Sequence, residues 1–179
     1  MNRSRRRPDR RGLALVLTLA FVVAGGAAFQ AMDPPHPAQP VGEAAAADEL
    51  RLRFDRAVAL LNSGQFAQAN LALHRVLEVA PDLPEAHVNI GFAMLGLGRV
   101  GLARDSFERA ANLRPDQANA YYGLALAHEA AGDLDLALGA MRSYIHLARD
   151  ADPAHLRRAR AALWEWESRR RPQAASAPR

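Results

Sequence analysis

The 179 residues leave room for one domain with extensions; half are hydrophobic, only 6% are aromatic, and alanine is abundant. That mix suits close-packed helices and argues against a β-sandwich, whose strands draw on β-branched and aromatic residues. There is no cysteine, which excludes disulfides, thiolate metal sites, a cysteine nucleophile, covalent c-type haem and lipoprotein acylation on this chain. The net charge of +4 and the sequence pI of about 10.5 suggest nucleic acid until the charges are mapped. All 23 basic residues are arginine, and six of them (Arg3, Arg5, Arg6, Arg7, Arg10 and Arg11) fall in the first eleven positions, opposed only by Asp9. Without Met1–Gly12 there remain 17 basic and 18 acidic residues, a net of −1. The basicity belongs to a tail, whereas a nucleic-acid-binding domain would carry a basic face of its own.

Residues 1–12 therefore read as a basic cytoplasmic tail. Residues 13–32, LALVLTLAFVVAGGAAFQAM, carry no charge, and about 20 apolar residues span a bilayer core of roughly 30 Å as a helix. Arginines on one side only predict a cytoplasmic N-terminus and an exported remainder. We read the stretch as an uncleaved signal anchor. The competing reading is a signal peptide cleaved near Gly26-Ala27-Ala28; both export the same domain. Residues 33–47 form a Pro/Ala-rich linker, with Pro34-Pro35, Pro37 and Pro40 favouring polyproline II. Its alanines lead into a helix with Asp48 and Glu49 in the first turn, where the helix dipole favours acids.

From 48 to 151 one 34-residue unit is written three times, as 50–83, 84–117 and 118–151, with no insertion or deletion. The middle copy runs His87-x2-Ile90-Gly91-x2-Met94, Gly98, Ala103-x3-Phe107, Ala110 and Pro115. The third answers with Tyr121-x2-Leu124-Ala125-x2-His128, Gly132, Ala137-x3-Met141 and Tyr144, and the first with Arg53-x2-Arg56-Ala57-x2-Leu60, Gly64, Ala69-x3-Leu73, Val76 and Pro81. This period and spacing resemble the tetratricopeptide repeat. The resemblance implies an all-α fold, a solenoid of three antiparallel helix pairs. The A helices are expected near 48–62, 85–97 and 116–131, and the B helices near 66–79, 100–114 and 134–149. Gly64, Gly98 and Gly132 would end the A helices as left-handed caps, and Asp133 reads as the best N-cap of the three B helices. Pro81 and Pro115 would close two B helices. The small columns Ala57/Gly91/Ala125 and Ala69/Ala103/Ala137 let paired helices approach closely, and Leu73, Phe107 and Met141 fill the space between repeats.

Asp152-Pro153 reads as an N-cap/N1 pair that opens a capping helix within 152–170. Leu156, Ala159, Leu163 and Trp166 share one stripe, Arg157, Arg158, Glu165 and Ser168 lie opposite, and Trp164 would pack at the edge of the stripe. A basic amphipathic helix on a membrane or nucleic acid is the alternative. Residues 171–179 are expected to be a disordered tail.

No pattern for catalysis emerges, so no catalytic residue, cofactor or metal is assigned and the chain is not read as an enzyme. The histidines make neither His-x3-His nor His-Glu-x2-His, and Gly96, Gly98 and Gly101 follow a helix where a phosphate loop would follow a strand. A metal site on His87 and Glu85 lacks further ligands at suitable spacing, and His128 falls in a packing column. In the family that this chain resembles, the A helices line a concave groove. Projected onto that geometry, the groove takes Arg51, Phe54, Val58, Leu61, Glu85, Val88, Asn89, Phe92, Leu95, Asn119, Tyr122, Leu126 and Glu129. Relatives that grip acidic C-terminal tails use basic and amide residues there. Here only Asn89 fits, and Phe54, Val58 and Gly123 stand at the other positions. The partner implied is thus a helix or hydrophobic peptide of a client protein, unless the Ala-rich segment before the repeats or self-association covers Phe54 and Phe92. On that footing Phe92→Glu should weaken binding and spare the fold. The function expected is that of a scaffold or adaptor, exported and held single-pass in a bacterial inner membrane with its repeats in the periplasm, or soluble there if the signal is cleaved. It would assist assembly of an envelope protein complex; anchored repeat proteins of c-type cytochrome maturation look similar in layout. The alternative is a constitutive structural subunit of a membrane complex.

Overall fold

Each glycine-punctuated apolar period becomes a pair of helices. The structure, a computed structural model, describes residues 41–149 and 152–175. Its helices are α1 (Val41–Asn62), α2 (Phe66–Val79), α3 (Pro84–Gly96), α4 (Val100–Leu113), α5 (Ala118–Ala131), α6 (Leu134–Leu147) and α7 (Pro153–Ala175), and no strand occurs among the described residues. All lie in one unit, Gln39–Arg179. The residues expected to form the basic tail, the signal anchor and the proline-rich part of the linker lie outside the described residues. No helix among the described residues is long and apolar enough to cross a membrane.

The A-to-B turn is built identically three times. Gly64, Gly98 and Gly132 have φ of +76°, +70° and +87°, a conformation in which a Cβ would be strained. Around them the N–H groups of Gln65, Arg99 and Asp133 donate to the carbonyls of Leu60, Met94 and His128, while those of Gly64, Gly98 and Gly132 donate to Leu61, Leu95 and Glu129. This paired 6→1 and 5→2 pattern is the Schellman motif, which satisfies carbonyls that a helix end would otherwise leave open. Asp133 does not cap with its side chain: none of the three B helices receives a side-chain cap bond. The residue after the glycine contributes its backbone, its N–H to the Schellman bond and its carbonyl to Ala69, Ala103 or Ala137.

Packing follows the small columns. Ala57, Ala69, Ala103, Ala125 and Ala137 are fully buried, as are Leu73, Phe107 and Met141. Phe107 on α4 is the keystone of the middle interface. A Cβ built on Gly91 of α3 would lie 2.5 Å from its ring, and one on Gly123 of α5 closer still. The ring therefore lies against two bare backbones, one from its own repeat and one from the next. Gly96 receives Phe66 in the same way, with a Cβ–ring distance of 2.6 Å.

Both ends depart from the sequence expectation. Helix α1 begins at Val41, inside the segment read as linker, because Ala44–Ala47 have the highest helix propensity and continue into Asp48 without a breaker. Residues 42–49 are exposed, so this Ala-rich segment extends the first helix and does not fold back over Phe54. At the other end, Asp152 caps α7 through its Oδ1, which accepts from the Ala154 N–H at 2.7 Å. Leu156, Ala159, Leu163 and Trp166 face α6 in a second core cluster. Trp164 does not pack at the edge of that stripe: it is 71% exposed, while Trp166 is 4% exposed. Two residues apart on a helix, the indoles point about 200° apart, and only one can face the core. Helix α7 also runs to Ala175, into the segment read as tail. Just before it, Arg169 and Arg170 are held by Glu129 and Asp135, and a helix once formed propagates residue by residue.

Candidate protein-binding groove

The inner surface is identified by which helices touch. Among the described residues α1 packs on α3 and α3 on α5, whereas α2, α4 and α6 make no comparable contacts with one another. The A helices therefore form the inner, concave row and the B helices the splayed outer one, as expected for the groove.

Along that row the sequence-derived residues sort into three kinds. Val88 is 4% exposed and belongs to the core cluster with Ile90 and Met94, so it is withdrawn from the groove. The reason is that α3, in the middle of the row, packs against α1, α2, α4 and α5, so more of its circumference is closed. Phe54, Val58, Leu61, Phe92, Leu95, Tyr122 and Leu126 are half-buried, and form the apolar strip proper. Arg51 and Asn119 are exposed at its margin. Asn89 is half-buried and spends its Nδ2 on the Glu85 carbonyl at 2.9 Å.

The two acidic members are already matched. Glu85 is paired with Arg114, the residue that follows α4, and Glu129 accepts from Arg169 of α7 at 2.7 Å. Each carboxylate has an arginine beside it, from the end of α4 or from the capping helix, although Glu85 Oε2 is buried without a hydrogen-bond partner. Sequence reasoning missed Arg114 and Arg169, which sit 29 and 40 residues from their partners, beyond any helical spacing.

Beneath the strip runs a ladder of rings. Phe92 meets Phe107 edge-on, with centroids 5.0 Å apart and planes at 70°. Phe92 lies 6.4 Å from Tyr122, and Tyr122 lies 5.1 Å from Tyr144 of α6. Edge and tilted contacts of this kind set the negative face of one ring against the positive edge of another. Tyr144 was read only as a repeat-pattern residue; here it supports Tyr122 from below. Its phenol pKa is raised from 10.0, first by burial and then by the neighbouring Tyr122 charge.

Gly123 also acquires a reason. A Cβ there would run into the Phe107 ring, which fills the space any side chain would use. The histidines do not gather. His87 Nε2 lies 3.0 Å from the Pro81 carbonyl, and Tyr121, one repeat later, donates its hydroxyl to Pro115 at 3.0 Å. Both pin an A helix to the turn before it. His128 is half-buried in its packing column. Among the described residues no three His, Asp or Glu side chains are grouped as a metal site.

The repeat geometry agrees with comparison to known proteins. A family model described as tetratricopeptide repeat matches residues 54–112 and again 93–155. The chain belongs to the tetratricopeptide-repeat family. Among solved structures, this tetratricopeptide-repeat protein is similar in fold to the type III secretion translocator chaperone SycD of Yersinia enterocolitica (15% identity, TM-score 0.65, 70% of this chain and 88% of that one). It is similar also to PcrH of Pseudomonas aeruginosa (23%, 0.61, 67% and 92%) and to the Sgt2 repeat domain of Aspergillus fumigatus (20%, 0.64, 73% and 86%). No curated protein matches the sequence.

Proposed function

We propose that this tetratricopeptide-repeat protein is an adaptor that takes a helix or hydrophobic peptide of a client protein into its concave groove. The observation that carries the reading is the half-buried strip of Phe54, Val58, Leu61, Phe92, Leu95, Tyr122 and Leu126, whose acidic neighbours are already ion-paired. A surface apolar along its length, with its acidic members paired, suits an apolar helix face or an extended apolar segment. Structures of similar fold support it: PcrH has been solved with the chaperone-binding regions of PopD and of PopB, and SycD with a peptide of the translocator YopD. The groove offers an acidic tail little: Gly123 is filled by Phe107, Arg114 is paired with Glu85, and Asn89 is bonded to the Glu85 carbonyl, which leaves Arg51 at one margin.

In the same reading the adaptor is exported and membrane-anchored. The arginines of residues 1–12 followed by the uncharged residues 13–32 support a single span with the repeats on the far side. Its work there would be to hold a client during assembly of an envelope complex, c-type cytochrome maturation being one such process.

A photo-crosslinking residue at Leu61 or Leu126, compared with one at Leu102, tests the groove. Leu102 is 52% exposed on the outer helix α4. The adaptor reading expects adducts to a single apolar client segment from Leu61 and Leu126 only; equal or greater yield from Leu102 sinks it. Replacing the span with a cleavable signal distinguishes an adaptor, which still captures its client, from a span-held subunit, which does not. An alkaline phosphatase fusion at Arg179 checks export, and an inactive fusion reverses the topology.

A further inference from the structure

Helix α7 has an outer face that capping the array does not explain. Its inner face, Leu156, Ala159, Leu163 and Trp166, packs against α6. On the opposite side Arg157, Ala161, Trp164 and Ser168 follow at spacings of four, three and four, one line along a helix. All four are exposed, and Arg158 and Arg160, also exposed, flank them. A solvating helix needs polar groups there; it gains nothing from an indole that is 71% exposed.

We infer that the outer face of α7 rests on an anionic bilayer surface, with Trp164 at the headgroup level and Arg157, Arg158 and Arg160 in the turns before it. Charge complementarity carries the assignment. The chain beyond Met1–Gly12 has a net charge of −1, so three arginines within four positions do not reflect its average. Arg169 and Arg170, farther along α7, have partners: the first pairs with Glu129 and the second with Asp135. The acid on the outer side, Glu165, lies 4.0 Å from Arg169. Tryptophan is favoured at the membrane–water interface, where its ring is apolar and its N–H stays wet, and arginines beside it are drawn to anionic headgroups. A single indole with its guanidinium groups along one helix on its N-terminal side offers no channel for a nucleic-acid strand, which is the competing polyanion. The inference does not rest on the anchor at residues 13–32.

The chain has two tryptophans, so Trp164→Phe isolates the buried Trp166, and the difference in emission reports Trp164. The full chain is mixed with vesicles of equimolar phosphatidylglycerol and brominated phosphatidylcholine, or of brominated phosphatidylcholine alone. We expect the difference emission to shift to the blue and to be mostly quenched in the first. That response should be lost in the R157Q/R158Q/R160Q variant and should weaken as salt is raised, the salt series giving the same reading if the triple variant misfolds. Unchanged emission in the anionic vesicles overturns the inference, as does equal quenching in both vesicles, or a response to an oligonucleotide duplex alone. Flotation reports the anchor separately: a chain that floats with both lipids while Trp164 stays unquenched keeps the anchor and loses this contact.

Discussion

Gly91 and Gly123 both lie against the ring of Phe107, and the energetics of the middle repeat turn on that fact. Gly123→Ala should cost about 1–3 kcal/mol, since Phe107 is fully buried and has no room to yield without overpacking its surroundings. Gly139 makes the contrast: it is mid-helix in α6, exposed, with nothing within 4 Å of a new Cβ. Gly139→Ala should stabilise by roughly 0.5–1 kcal/mol, and urea denaturation of the two variants measures both signs. Tyr144 makes a prediction in pH. Its folded pKa is raised above the unfolded 10.0 by burial and by Tyr122, so the folded state holds the phenol proton more tightly than the unfolded one. The associated stability is fully present below about pH 10 and is lost as pH rises through the folded pKa. Tyr144→Phe should flatten the alkaline limb of a stability–pH profile, and an unchanged limb would assign the loss to other groups. The sequence marked Gly91 as a small packing position but not Gly123. The ring that needs Gly123 comes from the preceding repeat, and no local pattern links them.

At the scale of the element, helix ends separate what propensity shows from what geometry decides. The three glycines at positive φ and the Asp152 cap were legible, because each is a local backbone requirement met by one residue type. Asp133 was not: it has the composition of an N-cap, yet the Schellman turn commits its backbone and its side chain makes no cap bond. Asp152→Ala should therefore cost about 1 kcal/mol, while Asp133→Ala should stay within ~0.5 kcal/mol, compared by thermal or urea melts. An equal loss at both positions would return Asp133 to a capping role. The start of α1 was placed too late for a related reason. Prolines signalled a linker, but the alanines after Pro40 have no breaker among them, and helix extends to Val41.

For the whole molecule, groove and core are not separate layers. Phe92 was expected to be a pure contact residue, replaceable without harm to the fold. It rests edge-on against Phe107 and touches the ladder to Tyr122 and Tyr144, so its outer edge faces the groove and its inner edge holds the middle interface. Phe92→Glu should lower stability by ~2 kcal/mol, less than deletion of a fully buried ring, as well as weaken client binding. Denaturation and binding measured on the same variant decide it; a binding loss with unchanged stability would restore the simpler picture. Stability in such an array is approximately a sum of repeat and neighbour-interface terms, so loosening the middle interface is felt by both outer repeats.

The sequence by itself determined the number of repeats, the helix pairs, the left-handed turns, the small columns and the inward stripe of α7. All of these are set by spacing along one helix or one turn, and spacing is preserved in a linear string. Stacking is what made Val88 core, paired Glu85 and Glu129 with Arg114 and Arg169, and left Trp164 exposed and not packed at the edge of the stripe. Those outcomes depend on which neighbour arrives at each face when the repeats stack, and stacking brings together residues whose separation in the chain carries no periodic signal.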